Sequence, residues 1–308
     1  MNNLNKTTTT YFIMVGFKNL YRFKDVSFIL LLLIYMVIMT GNLFIVLLVP
    51  SINLLHTPMY FFLSNLSFSD VMITSNMIPN ILQLLWTEKG NVSIMRCIFQ
   101  FYIFGSLTAT ECLLLTAMSY DRYLAICNPF RYSSIMNTKM CRHLIMLSWV
   151  VGFTPTLPVA SCLSRTKFCS PYIDHFFCDL APFLEVACSD TSTIKLLAFA
   201  FSFLVTVFPF FFILASYSSI LNTILKITSE KGRQKTFSTC SSHLTVVSIY
   251  YGSLIALYVV PLNKHSLGLN KLLSLLYTIV TPLLNPIIYC LKNRDISKAV
   301  KKMAFQIF

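Results

Sequence analysis

What most constrains this chain is a succession of apolar runs, each long enough to cross a lipid bilayer. A spanning helix needs about 20 mostly apolar residues. Seven stretches qualify: Val26–Val49, Pro58–Leu85, Cys97–Ile126, His143–Ser161, Ile194–Lys226, Phe237–Leu262 and Lys271–Leu291. The first and fifth are nearly free of charge. Only 11% of the residues are charged and 56% are hydrophobic, whereas soluble domains carry about 25% charged residues. A soluble fold of this composition could not cover itself with polar groups. The predicted fold is therefore an all-α membrane protein, a seven-transmembrane helix bundle. It reads as one domain over 1–308, with an N-terminal segment 1–25, the bundle over 26–291 and a tail over 292–308.

Parity sets the expected orientation. With seven spans, the N-terminus and the second, fourth and sixth loops share one side. The glycosylation sequons at Asn5 and Asn91 fall on that side, which makes it extracellular. The longest loop, Cys162–Thr193, falls there too and carries Cys169, Cys178 and Cys188, as an oxidising medium allows. A third sequon, at Asn65, lies inside the second span and reads as chance. Met1–Lys24 lacks the order of a cleaved signal peptide, so Val26–Val49 reads as a signal anchor. The net charge of +13 could suggest nucleic acid, but the bases cluster between apolar runs, where they face headgroups and water. No nucleic-acid partner is expected. Together these readings predict a multi-pass plasma-membrane protein with its C-terminus in the cytoplasm. Cys97 opens the third span, and four outer cysteines allow three pairings. Composition does not choose among them.

Polar residues inside spans are costly and so carry information. By helical rise, roughly 37 Å separates Cys97 from Arg122, which puts them at opposite surfaces with Glu111 near mid-membrane. Asp121 beside Arg122 can hold that base turned inward at rest. Asp70, Glu111, Asn42 and Asn285 fall at comparable depth and can satisfy one another as one cluster, either by sharing a proton or by holding Na⁺ between Asp70 and Glu111. No other cofactor is expected. Pro209, Pro261, Pro282 and Pro286 interrupt spans five to seven, where breaks act as hinges or kinks. Asp295–Phe308 reads as an amphipathic helix on the inner leaflet, with Ile296, Val300 and Met303 opposite Lys298, Lys301 and Lys302.

Four motifs carry a family resemblance. Leu55-His56-Thr57-Pro58-Met59-Tyr60 enters span two, and Met118-Ser119-Tyr120-Asp121-Arg122-Tyr123 ends span three. Lys235-Thr236-Phe237-Ser238-Thr239-Cys240 enters span six, and Pro282-Leu283-Leu284-Asn285-Pro286-Ile287-Ile288-Tyr289 ends span seven. With Ser216-Tyr217 and His175-Phe176-Phe177-Cys178-Asp179, they resemble the vertebrate odorant (olfactory) receptors of the tetrapod-type class, within the rhodopsin-like G-protein-coupled receptors. Ser119 and Thr236 stand where the family has Ala, and Tyr250 stands where it has Phe.

The resemblance implies Cys97–Cys178 and Cys169–Cys188 disulfides, olfactory sensory transduction, and a stimulatory heterotrimeric G protein of the olfactory type that raises cAMP. It implies a pocket of Phe104, Gly105, Thr108 and Ala109 on span three and Ser202, Val205 and Thr206 on span five. Tyr251, Ile255 and Tyr258 on span six and Thr278 on span seven complete it. Such a set suits a small volatile or apolar neutral ligand. Asp121, Arg122, Tyr123, Tyr217, Lys235, Asn285, Pro286 and Tyr289 would serve activation and coupling. No enzyme is expected: Cys240 and His243 share a helix face without a third member, and His243 reads as a surface or packing residue. A transporter and a receptor for a non-odorant metabolite are the competing readings.

Overall fold

The computed structural model describes residues 10–16, 23–259, 267–292 and Ile296. Asn5, Pro261, the segment 297–308 and the side chains of Lys235, Tyr258 and Tyr289 lie outside the described residues. Within them, helices occupy all seven predicted stretches. These are α1 (Lys24–Ser51), α2 (Pro58–Thr87), α3 (Ile94–Cys127), α5 (Thr138–Phe153) continued by α6 (Thr156–Ser164), α8 (Ser192–Ser202) continued by α9 (Phe208–Leu225), α10 (Glu230–Val259) and α11 (Leu267–Lys292). A short α4 (Pro129–Ile135) follows α3, and α7 (Leu180–Val186) lies in the long loop. Four of these helical runs, starting at Lys24, Ile94, Thr138 and Ser192, are long and apolar enough to cross a membrane on composition alone. Helices α2, α10 and α11 carry more polar residues, and much of that polarity is buried among their neighbours.

The boundaries follow local chemistry. Pro58 occupies the first turn of α2, where its missing N–H costs nothing. The side chain of Ser93 accepts from the N–H of Arg96 at the start of α3, and Asn137 does the same for Met140 at the start of α5. The fourth span breaks at Thr154 and Pro155. In the fifth, residues Phe203–Val207 form a π-helical turn just before Pro209, and the Phe208 N–H reaches back to the Phe203 carbonyl. That turn absorbs the hydrogen bond the proline cannot make.

Lipid offers a freed carbonyl no water, so other helices must supply donors. Pro286 cannot donate to the carbonyl of Pro282 one turn earlier. The Asn42 side chain donates to that carbonyl instead, at 2.9 Å, and to its own helix at the Ile38 carbonyl. Gly41 allows the approach, since a Cβ there would meet the Pro286 ring at 3.2 Å. Asn65, the third sequon, is a tie between helices: it accepts from the Trp149 indole N–H.

One face of the bundle is capped by a three-stranded sheet that the apolar pattern did not announce. Strand β1 (Tyr11–Met14) lies between β2 (Gly90–Ser93), antiparallel, and β3 (Tyr172–Ile173), parallel. Phe12 and Met14 point inward, and Phe12 packs edge-on against Phe168 and Phe183. The disulfides Cys97–Cys178 and Cys169–Cys188 close the same face. His175 is buried there, stacked on Phe176, and accepts from the Phe177 N–H. Burial, with Lys271 nearby, pushes its pKa down to about 4, so the ring is neutral at physiological pH.

Helix α3 is the axis, touching α2, α5, α6, α9 and α10. Its contact with α5 depends on Gly152. A Cβ there would collide with the Thr110 hydroxyl and lie 2.9 Å from the Ser106 carbonyl oxygen, whereas a Cβ at Gly252 meets nothing within 4 Å. Gly152→Ala is expected to destabilise by about 1–3 kcal/mol through overpacking, read as a lower thermal midpoint in detergent. Gly252→Ala should leave the midpoint unchanged or raise it, since Ala is the better helix former. Equal midpoints for the two variants would remove Gly152 as a packing determinant.

Candidate functional site

The predicted pocket positions on α3 follow Cys97, where the helix is bonded to the long loop. Phe104 and Ala109 are buried on α3, while Gly105 and Thr108 are half-buried. Phe177 of the loop packs edge-on against Phe104 with centroids 5.3 Å apart, and the Cys178 N–H donates to Gln100 one turn earlier. The π-helical turn carries Val205, which is buried, and Thr206, which is half-buried. Tyr251 is buried against Phe210 at 4.9 Å between ring centroids, and Thr278 is buried on α11. Ser202 and Ile255 differ from the rest. Both are exposed, Ile255 to 45%, so neither is enclosed with the buried members of the set.

Below this, Tyr250 is wholly buried. Its hydroxyl donates to the Thr108 carbonyl at 2.8 Å and accepts from the Cys112 thiol at 3.4 Å. A buried tyrosine hydroxyl needs such a partner. Tyr250 therefore ties α10 to α3.

Of the four polar residues expected to form one cluster, Asp70, Glu111 and Asn285 meet, whereas Asn42 turns its amide to the Ile38 and Pro282 carbonyls. Asn285 donates to one oxygen of Asp70 at 2.8 Å, and Glu111 lies against Asp70 and Ser69. The second oxygen of Asp70 and one oxygen of Glu111 are buried without a hydrogen-bond partner among the described residues. A buried carboxylate oxygen without a donor is costly. The pair thus forms an oxygen-rich recess of the kind a hard cation or a shared proton fills.

At the other end of α3, Asp121 is fully buried and its carboxylate is divided between two partners. One oxygen accepts from Arg122 through both Nε and a terminal nitrogen. The other accepts from the Tyr132 hydroxyl at 2.8 Å. Tyr132 stands on α4, two residues from Phe130, which is 100% exposed. The sequence pattern marks Asp121 and Arg122 but neither α4 residue. The proline at the head of α4 was the available signal. Nearby, Tyr217 is buried and hydrogen-bonds the His243 ring. His243 is thus a packing residue with a polar task, joining α9 to α10. Lys235 and Tyr289 fall on α10 and α11, with side chains outside the described residues. Tyr123 is half-buried on α3.

Comparison with known proteins agrees with this geometry. A family profile described as "Olfactory receptor" matches residues 31–307. Human "Olfactory receptor 6B1" is 43% identical over 302 residues, covering 98% of this chain and 96% of its own. Mouse "Olfactory receptor 5G9" is 44% identical over 297 residues, covering 96% and 95%. The crystal structure of squid rhodopsin superposes with a TM-score of 0.75 at 17% identity, over 93% of this chain and 87% of that one, a likeness of fold. The chain belongs to the olfactory receptor family: it is a multi-pass, rhodopsin-like G-protein-coupled receptor with a small-molecule ligand and a G-protein partner, not an enzyme.

Proposed function

We propose that this receptor detects small, neutral, mostly apolar odorants from outside the cell and activates a stimulatory heterotrimeric G protein, raising cAMP. The observation that carries the ligand class is the composition of the site. Phe104, Ala109, Val205, Tyr251 and Thr278 offer apolar surface with scattered hydroxyls, as small-molecule sites generally do. Gly105, Thr108, Ser202, Thr206, Ile255 and Tyr258 extend the same character. In this reading, the plasma membrane holds a single domain with 1–25 outside, the bundle over 26–291 and 292–308 inside. Asn5 and Asn91 carry glycans, and Asn91 is exposed on β2, as a glycan requires. The basic tail rests on anionic lipid.

Signalling follows from the two ends of α3. Ligand must favour the active bundle over the resting one by differential affinity. Contact with Tyr251 displaces α10, and Asp121 gives up Arg122 to the partner. Tyr132 shares Asp121 with Arg122, so its hydroxyl helps hold the buried carboxylate in place. Phe130 and Arg131 on α4, with Lys231, Arg233 and Lys235 on α10, present an apolar anchor and bases to an acidic G protein.

Na⁺ fits the recess between Asp70 and Glu111, where both acids have an oxygen to give. The ion would supply a fixed positive charge that stabilises the resting cluster. Replacing NaCl by choline chloride at constant ionic strength should raise basal signalling and ligand potency, and Asp70→Asn should abolish that difference. A salt response that survives in Asp70→Asn would place the sodium effect elsewhere.

The function is tested by cAMP in cells given the receptor, a stimulatory Gα and a panel of six- to ten-carbon alcohols, aldehydes and ketones. A dose-dependent rise is expected for some members. Arg122→Ala and Tyr251→Ala, at equal surface level, should each reduce it about tenfold or more. Tyr132→Phe should instead raise signalling without ligand. Silence across the panel from surface-expressed receptor would contradict the coupling or ligand class proposed here.

A further inference from the structure

Tyr250 reaches from α10 across to the α3 backbone beside the ligand site, and nothing in the activation scheme above uses it. We infer that the Tyr250 hydroxyl is a clasp that holds α10 on α3 at rest and so sets this receptor's threshold; the inference rests on the reading that α10 moves on activation.

Three observations place it there. First, the bond is short and internal: the hydroxyl donates to the Thr108 carbonyl at 2.8 Å from a fully buried ring. Second, it is supported from the same helix, because the Cys112 thiol donates to that hydroxyl one turn further along α3. Thr108 and Cys112 stand one turn apart, so the hydroxyl sits in the groove between them and fixes α10 along the axis of α3 as well as toward it. Third, the clasp joins two groups on which the switch depends. Thr108 lies in the candidate pocket, and Tyr250 adjoins Tyr251, whose ring it meets edge-on with centroids 5.4 Å apart.

The consequence has a sign. Motion of α10 away from α3 breaks the bond and leaves a hydroxyl in a water-poor interior, at a cost the active state must bear. Tyr250→Phe keeps the ring packing and removes that cost. The resting-to-active equilibrium then moves toward active, and every ligand gains apparent affinity by about the same factor, because the competent state is populated more often. A ligand-contacting hydroxyl behaves differently. Its loss changes the potencies of hydroxyl-sensitive ligands selectively and leaves basal signalling alone.

The test compares wild type, Tyr250→Phe and Cys112→Ala at matched surface level, in the cAMP assay with the same alcohols, aldehydes and ketones. Tyr250→Phe should raise basal cAMP about two- to tenfold and lower the half-maximal concentrations of all active ligands by a common factor. Cys112→Ala, which leaves the Thr108 bond in place, should fall between the two. Basal cAMP equal to wild type, with potencies unchanged or shifted for single ligands only, overturns the clasp. Arg122→Ala run alongside separates the failures: loss of signal there, with Tyr250→Phe like wild type, leaves the receptor reading standing and removes the clasp alone. Should neither wild type nor any variant raise cAMP, a fluorine label at Gln234→Cys in purified receptor reads α10 with no G protein present. A second resonance in Tyr250→Phe supports the clasp, and spectra identical to wild type overturn it.

Discussion

The Cys97–Cys178 bond fixes one end of α3 to the loop that roofs the ligand site, and the buried Asp121–Arg122 pair occupies the other end. The helix between them packs against α2, α4, α5, α6, α9 and α10. In the proposed function it carries Phe104 and Thr108 for the ligand, Glu111 for the polar recess, and Arg122 for the partner. With its Cys97 end anchored, α3 is the reference against which α10 moves in the proposed activation. Each latch named above is a bond made to α3 or from it. The Tyr250 hydroxyl grips its backbone near the middle, and Tyr132 grips its acid at the end.

These bonds matter because of where they are made. Water would replace a lost hydrogen bond at little cost, but lipid and a packed interior cannot. The same constraint explains the rest of the polar economy. Asn42 serves the carbonyl that Pro286 leaves free, and Asn285 serves Asp70. Asn65 serves Trp149, and the π-helical turn serves Pro209. Polar residues inside the bundle that look expensive in the sequence are the partners of specific breaks. One oxygen each of Asp70 and Glu111, like several buried hydroxyls, lacks a hydrogen-bond partner among the described residues.

Much of this was legible in the sequence, for physical reasons. Apolar length fixed seven helices, because a bilayer has one thickness, and the stretches read as spans are helical in the structure. Boundaries moved where caps decide them: α5 starts at Thr138 behind the Asn137 cap rather than at His143, and α10 starts at Glu230 rather than at Phe237. The cost of charge inside a span marked Asp121 and Arg122, whereas Phe104 and Thr108 came from the family resemblance alone. The sheet was not legible. Tyr11–Met14 is a run of four apolar residues with no polar alternation, too short a signal to outweigh chance, and β3 is shorter still. Tyr132 and Phe130 were missed because a loop helix of seven residues has no apolar period. The clasp was half legible: the extra hydroxyl at Tyr250 was visible, but its acceptor is a backbone carbonyl, which no side-chain pattern marks.

The central claim is that activation separates α10 from α3 and frees Arg122 from Asp121. A structure of this receptor with an active odorant and its G protein tests it most directly. The account predicts the Tyr250 hydroxyl beyond hydrogen-bond distance of the Thr108 carbonyl, Arg122 turned from Asp121 toward the partner, and α3 still bonded to the loop through Cys97. A complex that keeps both the Tyr250–Thr108 and the Arg122–Asp121 bonds while the G protein is engaged would contradict it.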